Sequence, residues 1–195
     1  MTKIGIVTGS TRNSRVNMQV AEWLKDFAEN LNTGAEFEIV DLKDYEVPLF
    51  NEDVPPAMAN KQYSTDVINN WSAKIDSLDG YIFVTPEYNK AISPSLKNQL
   101  DYIGPEFANK AAGIVGYGST LGVAATLSLR QILSNFNVAT VGPFGAFSLF
   151  TDFEEMSKFN PGEFKLDHVK ATRFYGASIE FVPIYSKMSW MNQKI

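Results

Sequence analysis

The sequence predicts an open α/β sandwich: a five-stranded parallel sheet of order 2-1-3-4-5 with helices on both faces. Three observations carry that prediction. Short apolar runs alternate along the chain with segments whose apolar residues recur at helical spacing, the mark of β-α-β units. The runs at residues 4–7, 81–84 and 111–115 are continuously apolar, as in strands of a parallel sheet buried on both faces. Phe37 and Ile39 instead alternate with Glu36 and Glu38, a strand with one wet face, which suits a sheet edge.

The elements follow in order. Residues 4–7 form the first strand and end in Thr8-Gly9. Val20, Leu24, Phe27 and Leu31 make a helical stripe across residues 17–31. The second strand surrounds Phe37 and Ile39, and residues 41–60 form an irregular, proline-bearing connection. Ile68, Trp71, Ile75 and Leu78 make a second stripe, stopped by Gly80. Residues 81–84 are the third strand. Residues 95–103 are the third helix, with Pro94 in the first-turn position where proline is tolerated. Residues 111–115 are the fourth strand, 120–133 the fourth helix and 138–141 the last strand. Residues 152–195 are a C-terminal extension whose pattern holds one helix near 167–179. No repeat, linker or low-complexity segment divides the chain, so residues 1–195 read as one domain.

Composition narrows the function. The chain has 195 residues and 45% hydrophobic content, enough for one sizeable core. A net charge of −5 without any Lys/Arg run argues against a nucleic-acid partner. The absence of cysteine removes disulfides, thiol nucleophiles, iron–sulfur ligation and thiolate zinc sites, and it suits the cytoplasm. The apolar piece after Lys3 is too short for a signal-peptide core. Residues 111–151 carry only Arg130 as a charge, yet repeated glycines and Pro143 break them. They read as strand, helix and strand rather than as a membrane span.

Ligands of open parallel sheets bind beyond the C-terminal strand ends, where the strand order reverses. In this order that point lies between strands one and three, with strand four beside three. The loop TGSTRNSRVN (8–17) leads into the first helix, whose N-terminus favours an anion. Gly9 permits close backbone approach, and Ser10, Thr11, Ser14 and Asn17 offer short polar side chains. Arg12 and Arg15 can grip phosphate oxygens, and no carboxylate lies between Thr8 and Gln19. The loop is neither a Walker A nor a GxGxxG motif, and an ordinary solvated turn is the alternative.

After strand three comes TPEYN (85–89). Pro86 stiffens it, and the N–H groups of Glu87, Tyr88 and Asn89 are expected to face outward, towards a flat heteroaromatic ring walled by Tyr88. A tight turn with a surface tyrosine is the alternative. After strand four comes GYGSTLG (116–122). Gly116 leaves room, Tyr117 and Ser119 add contacts, and Thr120 is placed to cap the next helix. The alternative is a glycine-rich passage from strand to helix.

Other residues read more plainly. His168, the one histidine, is expected on the surface, which leaves a Ser-His-Asp hydrolase without support. Asp41, Asp44, Glu52 and Asp53 read as solvated rather than as metal ligands. Arg130 meets either a nucleotide phosphate or a partly buried ion-pair partner. Trp23 and Trp71 read as packing. Phe174, Tyr175, Phe181, Tyr185 and Trp190 either cover a neighbouring subunit's site or dock a C-terminal helix.

GSTR with its following Arg and Asn, TPEYN followed by LKNQLDY (96–102), and the glycine-rich loop at 116–122 together resemble the NADPH-dependent FMN reductases, a family of flavodoxin-like fold. That family includes quinone, azo-dye and chromate reductases. The likeness runs from Lys3 to Phe147 and leaves out the extension from Asp152. It implies a flavodoxin-like three-layer sandwich with FMN phosphate on Ser10, Arg12, Arg15 and Asn17. Pro86, Glu87, Tyr88 and Asn89 would frame the isoalloxazine, and Gly116, Tyr117 and Ser119 would support its other side. The helix with Lys97, Asn98 and Asp101 would lie near the interface of a homodimer or homotetramer. The loop is bulkier at Arg15 and Val16 than in many relatives.

The implied activity passes two electrons from NADPH or NADH through FMN to a small-molecule electron acceptor: a quinone, free flavin, azo compound or the like. It needs no catalytic side chain and no metal. A flavodoxin-type one-electron carrier and a non-catalytic FMN-binding module are the alternatives. Arg12 and Arg15 argue against the carrier, because flavodoxin phosphate loops are typically hydroxyl-rich and arginine-free.

Overall fold

The structure, a computed structural model, describes residues 1–142 and 144–161. The expected helix at 167–179, His168 and the five tail aromatics lie outside the described residues.

Strand β1 (Lys3–Thr8) pairs in parallel with β2 (Glu36–Val40) on one side and β3 (Gly80–Pro86) on the other. β3 pairs with β4 (Ala111–Gly118), and β4 with β5 (Ala139–Thr140), giving the expected order β2-β1-β3-β4-β5. The far edge departs from expectation. The strand expected at 138–141 is only two residues long, and β6 (Gly145–Ser148) resumes the pairing with Val115–Gly118 of β4. Sequence chemistry explains the break, because Gly142-Pro143 lacks a ladder donor at the proline.

Among the described residues four helices cover the sheet: α1 (Asn17–Asn30), α2 (Asp66–Asp76), α3 (Pro94–Asp101) and α4 (Val123–Ser134). Val20, Leu24 and Ala28 of α1 pack on Ile4, Ile6 and Val84 on one face. Ile68, Trp71, Leu96, Leu100 and Leu129 of the other helices pack on Val7, Phe83 and Ile114 on the opposite face. The first face is also covered by a hairpin of β7 (Phe153–Glu154) and β8 (Lys158–Phe159). Gln19 of α1 anchors that hairpin by donating to the Ser157 carbonyl and accepting from the Phe159 N–H. Trp23 packs against Phe147 and Phe159, and buried Trp71 donates its indole N–H to the Gln99 carbonyl.

α3 is tied to its own chain. Asn98 accepts from the Phe50 N–H at 2.8 Å and donates to the Pro48 carbonyl at 2.7 Å. Gln99 donates to the carbonyls of Leu42 and Tyr45. The long connection after β2 is thereby clamped onto α3, while Lys97 and Asp101 pair with each other at the surface. Arg130, expected at a phosphate or in an ion pair, has no ion-pair partner among the described residues. Its guanidinium donates to the carbonyls of Val141 and Gly142 and to the Thr140 hydroxyl, satisfying backbone that the interrupted edge leaves unpaired. No helix among the described residues is long and apolar enough to cross a membrane. No group of His, Cys, Asp or Glu among them is placed to hold a metal ion.

Candidate functional site

The register Thr8↔Val84 and Pro86↔Tyr117 sets the ends of β1, β3 and β4 side by side, so the three singled-out loops converge. The Ser10 and Tyr88 hydroxyls lie 3.4 Å apart, and Ser93 donates to the Gly9 carbonyl. Gly9 is required by a close approach, but to β3 rather than to a ligand: a Cβ there would lie 2.7 Å from the Val84 carbonyl oxygen. Asn17 also faces inward. It is fully buried, accepting from the Gly9 N–H and donating to the Val84 carbonyl, both at 2.9 Å. Of the first loop's four expected phosphate groups, Asn17 therefore shapes the loop, and Ser10, Arg12 and Arg15 remain.

Above them the N-terminus of α1 is open. Its N-cap is Val16, no side chain caps it, and its first turn holds no acid. The N–H groups of residues 10–14 find no partner among the described residues. Arg12 is exposed and, among the described residues, donates to the Ser14 hydroxyl alone, at 3.3 Å. Arg15 pairs with Asp41, the two side chains being 12% and 14% exposed, and its Nη1 is buried without a partner. Asp41 was expected in solvent. Instead it accepts from the Thr8 hydroxyl at 3.0 Å and the Lys43 N–H at 3.1 Å, so an acid does stand beside the acid-free loop. The signal for it was the strand order: the residue after β2 has to fall next to the residue after β1.

The second loop is tighter than expected. The Glu87 N–H donates to the Tyr117 carbonyl, carrying the β3–β4 pairing one residue past Pro86. Tyr88 and Ala91 exchange N–H···O bonds at 2.9 and 3.0 Å, closing a turn in which Asn89 and Lys90 both have positive φ. Of the expected outward row, only the Asn89 N–H is left without a partner among the described residues.

Glu87 does more than frame a loop. Its side chain is 6% exposed and accepts from Thr120 at 2.7 Å, from Lys90 at 3.2 Å and from the Ala124 N–H at 2.9 Å. Burial pushes its carboxyl up, but those donors outweigh the burial and hold it below the ordinary carboxylate value. It thus caps α4, whose own N-cap is Gly122 with a φ of 68° and no side-chain cap. Gly122 is mandatory, since a Cβ would lie 2.4 Å from the Tyr117 nitrogen. Thr120, expected as that cap, instead donates to the carboxylate that performs the task. In the third loop Gly116 is buried and Ser119 is exposed at the tip. Tyr117 is buried with its ring against Phe153. Burial pushes its hydroxyl pKa up while Asn17 pulls it down, and Tyr88, Arg12 and Arg15 lie within electrostatic reach.

Two helix N-termini therefore face the same edge with opposite roles. The end of α4 is plugged by a carboxylate. The end of α1 offers free N–H groups, an exposed arginine and a second arginine with an unsatisfied donor, a place for an anion. Beside it lies a rim made by Tyr88, Asn89 and Ser119.

Residues 2–152, which include all three loops, match the family described as NADPH-dependent FMN reductase. An NAD(P)H-dependent FMN reductase of Nectria sp is 36% identical over 146 residues, covering 73% of this chain and 73% of that protein. One of Saccharomyces cerevisiae is 30% identical over 148 residues, covering 72% and 78%. A quinone reductase of Pseudomonas putida is 29% identical, covering 76% and 81%. In fold, the chain is similar to the flavoenzyme NAD(P)H:acceptor oxidoreductase FerB of Paracoccus denitrificans, with a TM-score of 0.69 at 18% identity over 96% and 99% of the two chains. Sequence and fold agree, and the chain belongs to the NADPH-dependent FMN reductase family.

Proposed function

We propose that FMN lies across the ends of β1, β3 and β4, with its phosphate at the N-terminus of α1 and its ring between the Pro86–Asn89 and Gly116–Ser119 loops. The carrying observation is the buried Nη1 of Arg15, without a partner among the described residues, next to the free N–H groups of the 10–14 loop that leads into the uncapped end of α1. A phosphate supplies what that donor set lacks, so the residues fit the group. Ser10, Arg12 and Arg15 would hold the phosphate, while Asn17 keeps the loop in shape. Pro86 and Glu87 stiffen the rim. Tyr88 and Asn89 would border the ring on one side, and the loop of Gly116, Tyr117 and Ser119 would support it on the other.

The protein is an NAD(P)H-dependent FMN oxidoreductase. When bound, FMN supplies the two-electron chemistry that links NAD(P)H to the acceptor. The chain's own residues bind and orient, and no proton donor is required of them. Relatives named as quinone reductase and NADPH azoreductase support a flat, small acceptor: a quinone, free flavin or azo compound. A largely apolar groove of about 370 Å³, lined by Pro55, Ala57, Leu100, Ile103 and Phe136 with Asp101 among its polar groups, lies next in sequence to exposed Val54 and Met58 and supports a homodimer or homotetramer built through that face. The cysteine-free composition supports a cytoplasmic location.

An anaerobic titration tests the reading. Protein loaded with FMN and desalted should stay yellow, bleach on addition of NADPH or NADH, and recolour with a quinone over many turnovers. Colourless protein after desalting, or bound flavin that neither nucleotide bleaches, would sink it. A one-electron carrier or a non-catalytic binding module would keep its colour without steady turnover.

A further inference from the structure

We propose that Glu87 is the positioning residue of the flavin ring site: its carboxylate locks the Tyr88 turn to the N-terminus of α4 and so fixes the two loops between which the ring is placed. The inference rests on the flavin reading above and assigns to a side chain a task that the family match does not.

The geometry is specific. One oxygen of Glu87 gathers Thr120 and Lys90, the first from the β4–α4 loop and the second from the tight turn. The other oxygen accepts from the Ala124 N–H, with Ala125 at 3.5 Å. Lys90 also donates to Thr120 at 3.1 Å, closing a ring of bonds across the two loops. The anchoring is local on one side only, since the Glu87 N–H is already fixed to β4 through Tyr117. Without the carboxylate, α4 has no side-chain cap, and the Asn89–Lys90 turn keeps its own Tyr88–Ala91 bonds, the Tyr88 hydroxyl near Ser10 and one exposed lysine contact to Thr120. The carboxylate also denies the end of α4 to other anions, which leaves α1 as the anion site of this edge.

This role separates the two ends of the ligand. Loosening the loops affects the ring and leaves the phosphate contacts in place. Glu87→Ala should therefore weaken FMN and riboflavin binding by the same factor, about tenfold for a lost cap and its charged hydrogen bonds. Arg12→Ala should weaken FMN alone. Formate, a free carboxylate, should restore flavin binding to Glu87→Ala, a response that general loss of stability would not give. Amide hydrogen exchange at Ala124 and Ala125 should accelerate in Glu87→Ala, with or without flavin, and Glu87→Gln should fall between the two proteins. Unchanged riboflavin affinity in Glu87→Ala, a loss confined to FMN, or no response to formate would overturn the proposal. Unchanged exchange at the two amides would overturn the lock itself. Wild-type protein that binds neither flavin would overturn the ring reading, and the exchange measurement would still decide the lock.

Discussion

Arg15 and Asp41 show how one pair can be both structural and poised for a ligand. Their side chains are nearly buried, and a guanidinium with five donors is only partly matched by one carboxylate. In the free protein the buried Nη1 is a standing cost of about 1–3 kcal/mol. Bound phosphate would remove that cost, so ligand and carboxylate compete to neutralise the same cation. Asp41→Asn should then destabilise the FMN-free protein by about 2–4 kcal/mol, because it leaves a buried charge uncompensated. FMN should recover part of that loss, and by linkage the variant should bind FMN more tightly than the wild type does. Urea unfolding with and without FMN measures both quantities, and equal losses in the two states would show that the phosphate does not reach Arg15. Ser10, Arg12 and Arg15 were legible because a helix-start loop is a local pattern. Asp41 was not read, since its partner lies 26 residues away and only the adjacency of β1 and β2 brings them together.

At the scale of elements, the strands and helices were readable wherever a hydrophobic period ran long enough. They were unreadable where a distant residue set the boundary. α4 begins at Val123, three residues later than its pattern suggests, because Glu87 caps it from another loop while Thr120 only resembles a cap. In α3, Asn98 and Gln99 hold residues 42–50 of the same chain, a pairing that no local pattern announces. The broken edge strand is the clearest instance. Residues 138–141, three apolar and one threonine, read as one strand, but the pairing is carried by β5 and β6 with a gap that α4 bridges through Arg130. Arg130→Met keeps the apolar stem and removes the donors. It should cost about 1 kcal/mol, since the Val141 carbonyl is only partly buried and the Gly142 carbonyl is exposed to water. Hydrogen exchange should rise across 139–146 while residues 3–8 stay protected. A stability change with no local exchange signature would place the role of Arg130 elsewhere.

For the molecule as a whole, the titrating groups that folding perturbs most among the described residues are phenols, and their sign sets the pH dependence. Burial raises the pKa of Tyr45, Tyr63, Tyr102 and Tyr117 above the ordinary phenol value, with the bonded carboxylate of Glu106 adding to the shift at Tyr63. A raised folded pKa means stability that is fully present below the unfolded value near 10 and is lost as pH rises through the folded one. Each such tyrosine costs on the order of 1.4 kcal/mol per pH unit once the unfolded chain ionises and the folded chain does not. Lys110 has the opposite sign. Burial lowers its pKa as it donates to the carbonyls of Ile75 and Asp76 at the end of α2, so stability rises with pH until the unfolded lysine has lost its proton. The four tyrosines, with exposed Lys25 raised in the same sense, oppose Lys110, whose contribution ends near pH 10.5, where the tyrosines' has just begun. Urea unfolding should therefore show level or slightly rising stability up to about pH 10 and a steep fall beyond it. Absorbance of the phenolate band should show fewer than eight tyrosines ionising before the protein unfolds. Tyr117→Phe should shallow the fall, because it removes one proton that the fold retains. All eight phenols titrating near the ordinary value in protein that stays folded would refute this account of how the interior is protected.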